Sequence, residues 1–261
     1  MLRQLGGSMR IEDFDVILFD LDGTVYYGSK IIDGANDTIN FFRKNGKTVF
    51  FTTNNSTKTR RQIYERLINL GVDCNLDEVL TSGYIAALFA KKRHMEDVYI
   101  FGSENLIHEF CEMGVNVNQT ETAKNLLIGY DPEMNYEGLT KAIQVALHAN
   151  CIMACNKEKL YPGENKKLMP GCGAMTAPIE WCTGRSCDYV IGKPNTLMLD
   201  VLHEHEQVDI NRFLVIGDTY QSDIVMAKCF VAKSILIASE EHPYAVTVDS
   251  IKNIPNMFVK Q

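Results

Sequence analysis

Four short polar runs hold the side chains of this sequence best suited to chemistry. They are Asp20-Leu21-Asp22-Gly23-Thr24, Thr53-Asn54-Asn55-Ser56, Gly192-Lys193-Pro194, and Gly217-Asp218-Thr219 with Ser222-Asp223 just beyond. Together they supply the carboxylates of Asp20, Asp22, Asp218 and Asp223, the Lys193 ammonium, the Thr53 hydroxyl and the Asn54 amide. Carboxylates are hard oxygen ligands. Beside a phosphate they suit Mg2+, which takes one or two carboxylates plus substrate oxygens. Taken singly, each run has a plainer reading. Asp-x-Asp-Gly-Thr fits an Asx turn with glycine at positive φ. Thr53-Asn54 and the Asp218 to Asp223 run fit helix caps, and Lys193 fits a solvated surface lysine. Their common placement in the chain argues for a shared site.

Each run lies just past an apolar segment read as a strand: 16–19 before Asp20, 48–52 before Thr53, 190–191 before Lys193 and 213–216 before Asp218. In an open parallel sheet the carboxyl ends of the strands share one crevice, and ligands bind there. Helical patterns at 33–44, 57–70, 104–113, 136–149 and 196–202 alternate with these strands and with further ones at 98–101, 126–128, 152–154 and 234–237. The first of these helices carries Ile39, Phe41 and Phe42 on its apolar side, with Gly46 as its stop. This rhythm predicts an α/β protein with a doubly wound, Rossmann-like parallel-sheet core. Boundaries near Thr81-Ser82-Gly83 and Cys187-Asp188 divide the chain into core (1–81), an inserted α/β domain (82–187) and core again (188–261). The insertion is long enough for a small hydrophobic interior of its own.

The composition agrees with a globular enzyme-sized chain. Of 261 residues 46% are hydrophobic and 23% charged, which excludes a disordered or fibrous protein. A net charge of −7 argues against a general nucleic-acid binder. The longest uncharged stretch, 142–156, contains His148 and Asn150 and is too short and polar to span a bilayer. The opening MLRQLGGSM has no apolar signal core and reads as a loose leader. The expectation is a cytoplasmic protein without membrane or nucleic-acid partners. Eight cysteines are expected to be mostly buried thiols: with no secretory signal and at this length a disulfide framework is not expected, and the spacings Cys151-x3-Cys155 and Cys182-x4-Cys187 do not suit a zinc knuckle.

In this order the four runs resemble the haloacid dehalogenase-like (HAD) hydrolase superfamily, in its 4-nitrophenylphosphatase or NagD-like sugar phosphatase branch. The resemblance extends from Phe14 to Val248. Pro170-Gly171-Cys172-Gly173-Ala174 and the segment Tyr99 to His108 are similar to signatures of the α/β cap domain that this branch inserts at 82–187. Departures are Ser222 where the family often has Thr, and Cys229-Phe230-Val231-Ala232 where it usually shows Ala-Gly. The resemblance implies Mg2+-dependent hydrolysis of phosphate monoesters, small sugar or aryl phosphates, through an aspartyl-phosphate. Asp20 would be the nucleophile and Asp22 the general acid and base. Lys193 would stabilise charge, with Thr53, Asn54 and Lys193 binding the phosphate. The metal would be held by Asp20, the backbone carbonyl of Asp22, and Asp218, with Asp223 orienting that shell. Asn156, Gly171, Cys172 and Gly173 would shape cap specificity. The expected partner is a small phosphorylated metabolite, and the cap is the place for a homodimer contact. Two alternatives remain open on sequence: a phosphotransferase or mutase using the same intermediate, and a non-catalytic ligand-binding protein on the same fold.

Overall fold

The computed structural model describes residues 9–163 and 167–258; most of the expected leader and part of the 156–169 segment lie outside them. The first strand is β1 (Val16–Asp20), every residue of which is buried. A continuous apolar run of this kind suits a parallel strand covered on both faces. A hairpin of β2 (Tyr26–Tyr27) and β3 (Lys30–Ile31) follows, then α1 (Ala35–Lys44), β4 (Thr48–Thr53), α2 (Arg60–Asn69), β5 (Val79–Thr81) and α3 (Ser82–Lys92). Next come β6 (Val98–Phe101), α4 (Glu104–Glu112), β7 (Asn125–Ile128), α5 (Tyr136–His148) and β8 (Cys151–Ala154). β9 (Leu160–Pro162), β10 (Leu168–Pro170), α6 (Gly173–Thr183) and β11 (Tyr189–Val190) continue the chain. It finishes with α7 (Leu197–Glu206), β12 (Phe213–Gly217), α8 (Val225–Phe230), β13 (Lys233–Ile237) and β14 (Val246–Val248).

These elements form two compact units. One comprises residues 9–53, 64–80 and 193–258, and the other 54–63 with the described part of 81–192. The first unit is built on a six-stranded sheet of order β14-β13-β12-β1-β4-β5, in which β1 pairs in parallel with both β12 and β4. The order of the chain reverses between β1 and β12, so the crevice of a doubly wound sheet opens at their carboxyl ends. Phe19 on β1 packs edge-on against Phe42 of α1, with ring centroids 6.0 Å apart, and beside Phe51 of β4. The second unit has its own parallel sheet, order β11-β8-β7-β6. Leu126, Ile128, Ile152, Val145 of α5 and Ile179 of α6 form its core.

The structure alters several expectations. The helix expected from residue 57 starts at Arg60, because Asn55 Oδ1 accepts the N–H groups of Thr57 (2.9 Å) and Lys58 (3.1 Å) in an Asx turn. Thr59 and Gln62 then close a reciprocal capping box, at 3.0 and 3.2 Å. α3 occupies a stretch read only as a boundary, with Thr81 capping it through the Tyr84 N–H. The turn read at Pro170 to Ala174 leads directly into α6. Of the cysteines expected to be mostly buried, Cys74, Cys151, Cys155 and Cys172 are buried and Cys187 is partly so, but Cys111, Cys182 and Cys229 are exposed. Among the described residues no helix is long and apolar enough to cross a membrane.

Candidate active site

β1 and β12 deliver carboxylates from neighbouring strand ends. Asp20 is the last residue of β1, and Asp218 directly follows Gly217 at the end of β12. A single π-type turn, Tyr220–Ile224, brings Asp223 back towards them, and Asp223 accepts the Thr219 N–H at 3.2 Å. One carboxylate oxygen from each of Asp20, Asp218 and Asp223 lies within 4.8 Å of the others. Two glycines make the cluster sterically feasible. Gly23, at φ +94°, takes a conformation L side chains rarely adopt, and a Cβ there would overlap the Asp218 carboxylate. A Cβ at Gly217 would overlap Asp223.

Lys193 is the cation of this cluster. It is 2% exposed, donates to Asp223 Oδ1 at 2.7 Å and forms a short ion pair with Asp20. Burial alone would lower its pKa, but the Asp20 and Asp223 charges and hydrogen bonds override this and hold the ammonium above its ordinary range. Lys193 is thus no solvated surface lysine. Burial pushes the Asp20 carboxyl well up, helped by Asp223 and Asp218 and opposed by Lys193. Burial and then Asp223 likewise push Asp218 up to about 6. Three crowded carboxylates and one ammonium leave excess negative charge in a desolvated space, and an additional cation there would relieve it.

Asp22 stands apart from this cluster. Its side chain is solvent-accessible yet crowded by protein, and the lost hydration raises its pKa, opposed by Arg66, by a hydrogen bond from Tyr26, and by Lys193. The Tyr26 hydroxyl lies 3.3 Å from Asp22 Oδ2, and the Arg66 guanidinium stacks over the Tyr26 ring at 4.0 Å while donating to the Gly28 carbonyl. Tyr26 and Arg66 were not singled out from sequence. They belong to a two-residue strand and to α2, and neither position carries a motif that points to Asp22.

Thr53 closes β4, one residue beyond the pairing of Thr52 with Asp20, and is buried. Asn54 begins the second unit, which also holds Asn156, Gly171, Cys172 and Gly173. Asn156 is 3% exposed and donates through Nδ2 to the Asn54 carbonyl at 2.9 Å. Cys172 is buried, and burial pushes its thiol up to about 12, so it is a poor nucleophile.

A parallel α/β core with this carboxylate and lysine cluster at its topological switch point defines a class of hydrolases. Residues 17–116 match the model of the haloacid dehalogenase-like hydrolase family, and residues 190–256 match that of a HAD-hydrolase-like family. Sugar-phosphatase AraL of Bacillus subtilis is 30% identical over 251 residues, covering 92% of each chain. Glycerol-3-phosphate phosphatase of Rattus norvegicus is 28% identical over 258 residues, covering 88% of this chain and 80% of its own. The crystal structure of 4-nitrophenylphosphatase from Thermotoga maritima superposes with a TM-score of 0.88 at 26% identity, over 95% of this chain and 99% of that one. The chain belongs to the haloacid dehalogenase-like hydrolases, in their 4-nitrophenylphosphatase and NagD-like branch, and is a phosphoric monoester hydrolase.

Proposed function

We propose that the protein hydrolyses small phosphate monoesters, sugar or aryl phosphates, through an Asp20 phosphoenzyme with Mg2+ as cofactor. The observation that carries this reading is the buried Asp20–Lys193–Asp223 arrangement with Asp218 beside it. Asp20 attacks phosphorus. The ammonium of Lys193 keeps the Asp20 side chain aimed and lies where charge builds on the transferring group. Thr53 and Asn54 donate to phosphoryl oxygens. Asp22 protonates the leaving alkoxide and then takes a proton from the water that cleaves the acyl phosphate. The all-oxygen, charge-excess donor set fits Mg2+, with Asp20, Asp218 and the Asp22 carbonyl as ligands and Asp223 steadying them. When bound, the ion neutralises carboxylate repulsion and polarises the phosphoryl oxygens. The curated relatives, named for a sugar phosphatase and for a glycerol-3-phosphate phosphatase, support a small polyol phosphate as substrate.

The direct test is phosphate release from a panel of sugar, polyol and aryl phosphates, with Mg2+ and with EDTA. Release from at least one ester, lost in EDTA and restored by Mg2+, is expected. Transfer of phosphate to a second metabolite with no free phosphate would replace the hydrolase reading with a phosphotransferase.

Two further outcomes are expected. Asp22→Asn depresses hydrolysis of sugar phosphates at least about tenfold more than that of 4-nitrophenyl phosphate, because nitrophenolate leaves without a proton. Equal losses, measured as kcat on both substrates, would remove Asp22 from proton transfer. Mg2+ binding requires deprotonated ligands. Asp218 holds its proton up to about 6, so apparent Mg2+ affinity, titrated by calorimetry, weakens as pH falls through that value. Affinity independent of pH across that range would take Asp218 out of the ligand set.

A further inference from the structure

The second unit holds Asn54 from several sides. Its backbone carbonyl accepts from Ser82 Oγ at 2.8 Å and from Asn156 Nδ2 at 2.9 Å. Its side-chain Nδ2 donates to Glu158 Oε1 at 2.8 Å. Its Oδ1 faces Gly192, where a Cβ would overlap that oxygen. Glu158 is itself anchored. Its N–H donates to Asn156 Oδ1 at 3.0 Å, and its carbonyl accepts the Gly173 N–H at 2.8 Å. The adjoining Lys159 carbonyl accepts the Gly171 N–H at 2.9 Å. A Cβ at Gly171 would overlap the Glu158 carbonyl oxygen, and one at Gly173 would sit 2.8 Å from it. The glycine turn therefore clasps the backbone that carries Glu158.

A side-chain amide is ambiguous: one end donates and the other accepts, and the two ends are nearly the same size. Only the NH2 end can serve a phosphoryl oxygen. An ionised carboxylate accepts and never donates, so Glu158 dictates which way the Asn54 amide faces. We propose that Glu158 is a positioning residue that fixes the donor orientation of Asn54 for the substrate phosphate. The glycines of Pro170-Gly171-Cys172-Gly173 then act on the reaction by holding Glu158. This rests on the reading of Asn54 as a phosphate ligand. It assigns to one carboxylate, some hundred residues away in sequence, a hold on the direction of that donor.

The test is a double-mutant cycle on the full chain with 4-nitrophenyl phosphate as substrate and inorganic phosphate as competitive inhibitor. Glu158→Ala is expected to lower kcat/KM and weaken inorganic phosphate by about tenfold each, the scale of one misdirected charge-assisted hydrogen bond. Glu158→Met, which keeps the volume, gives the same loss if the alanine variant folds poorly. Glu158→Gln keeps the volume but can donate as readily as it accepts, so it no longer dictates the direction of the Asn54 amide and is expected to lose most of what Glu158→Met loses. In an Asn54→Ala background Glu158→Ala adds less than about twofold, because the group it acts through is gone. Full additivity, a glutamine variant with wild-type kcat/KM and phosphate inhibition, or tighter inorganic phosphate in Glu158→Ala would each overturn the proposal. Wild-type behaviour of both Asn54→Ala and Glu158→Ala alongside an inactive Asp20→Asn would overturn it while leaving the Asp20 reading intact. An active Asp20→Asn would instead overturn the underlying function.

Discussion

Asp20→Asn is expected to remove turnover, by on the order of 10^4-fold or more, while leaving the fold at least as stable as before. Asparagine keeps the volume at the end of β1 but offers no anionic oxygen to attack phosphorus. The stability half of the prediction follows from charge. In the metal-free protein Asp20, Asp218 and Asp223 share one ammonium, and burial together with mutual repulsion raises the Asp20 carboxyl. Deleting one negative charge relieves that repulsion, and Asp223 still pairs Lys193 at 2.7 Å. The melting temperature in EDTA should therefore hold or rise. Phosphate release above background from a preparation free of wild-type enzyme would sink the covalent mechanism. A large fall in melting temperature would show that Asp20 is chiefly a structural partner of Lys193.

Lys193→Met carries the second large effect, on both rate and stability. Removing the cation that pairs Asp20 and Asp223 leaves buried carboxylates without that compensating charge, a change that costs about 3–5 kcal/mol when a buried pair is broken. The pH dependence has a definite sign. Asp20 and Asp218 have folded pKa values raised above the unfolded ones, so they favour the fold below the ordinary carboxylate range. That contribution is lost as pH rises through the raised values, near about 6 for Asp218. Without the ammonium these values rise further, so the penalty in EDTA should be largest at neutral and alkaline pH and shrink on acidification. Saturating Mg2+ should restore much of the stability. Turnover should stay down about 10^2–10^3-fold even then, since a preorganised charge beside the transferring group is gone. Thermal melts across pH with and without Mg2+, followed by kcat at saturating metal, separate the two. A loss of less than about threefold in kcat would leave Lys193 with a purely structural role.

The sequence reveals the core strands because burial on both faces leaves unbroken apolar runs. Val16 to Phe19 and Phe213 to Ile216 are of this kind, the first running straight into Asp20 and the second reaching Asp218 through Gly217. It hides α3 for a related reason. Ile85, Ala86, Ala87 and Ala90 are all buried, so no polar stripe marks a helical period. α6 is masked by its own punctuation, since it starts at Gly173 and contains Pro178, both of which read as breakers. The short β9–β10 pairing is hidden by exposed Leu160 and Leu168 among charged residues. Within the site, residues that follow strands were visible through the rule of carboxyl ends. Contacts made across the fold, such as Arg66 on Tyr26 or Glu158 on Asn54, join residues far apart in the chain and leave no local signature in the sequence.

The neighbouring positions of β1 and β12 have a bearing on how the protein is made. Val16 registers with Phe213, roughly 200 residues further along, so this central ladder is a contact of very long range and forms slowly. On a ribosome β1 and β4 emerge well before β12 and can pair, but the β12 flank of β1 stays open until residues 213–217 have been synthesised. The parallel sheet of β6, β7, β8 and β11 lies wholly within the intervening stretch and is complete well before that. The nascent chain thus carries an apolar strand edge at β1 until β12 is made, roughly 200 residues later, and that edge is open to misassociation in the interval.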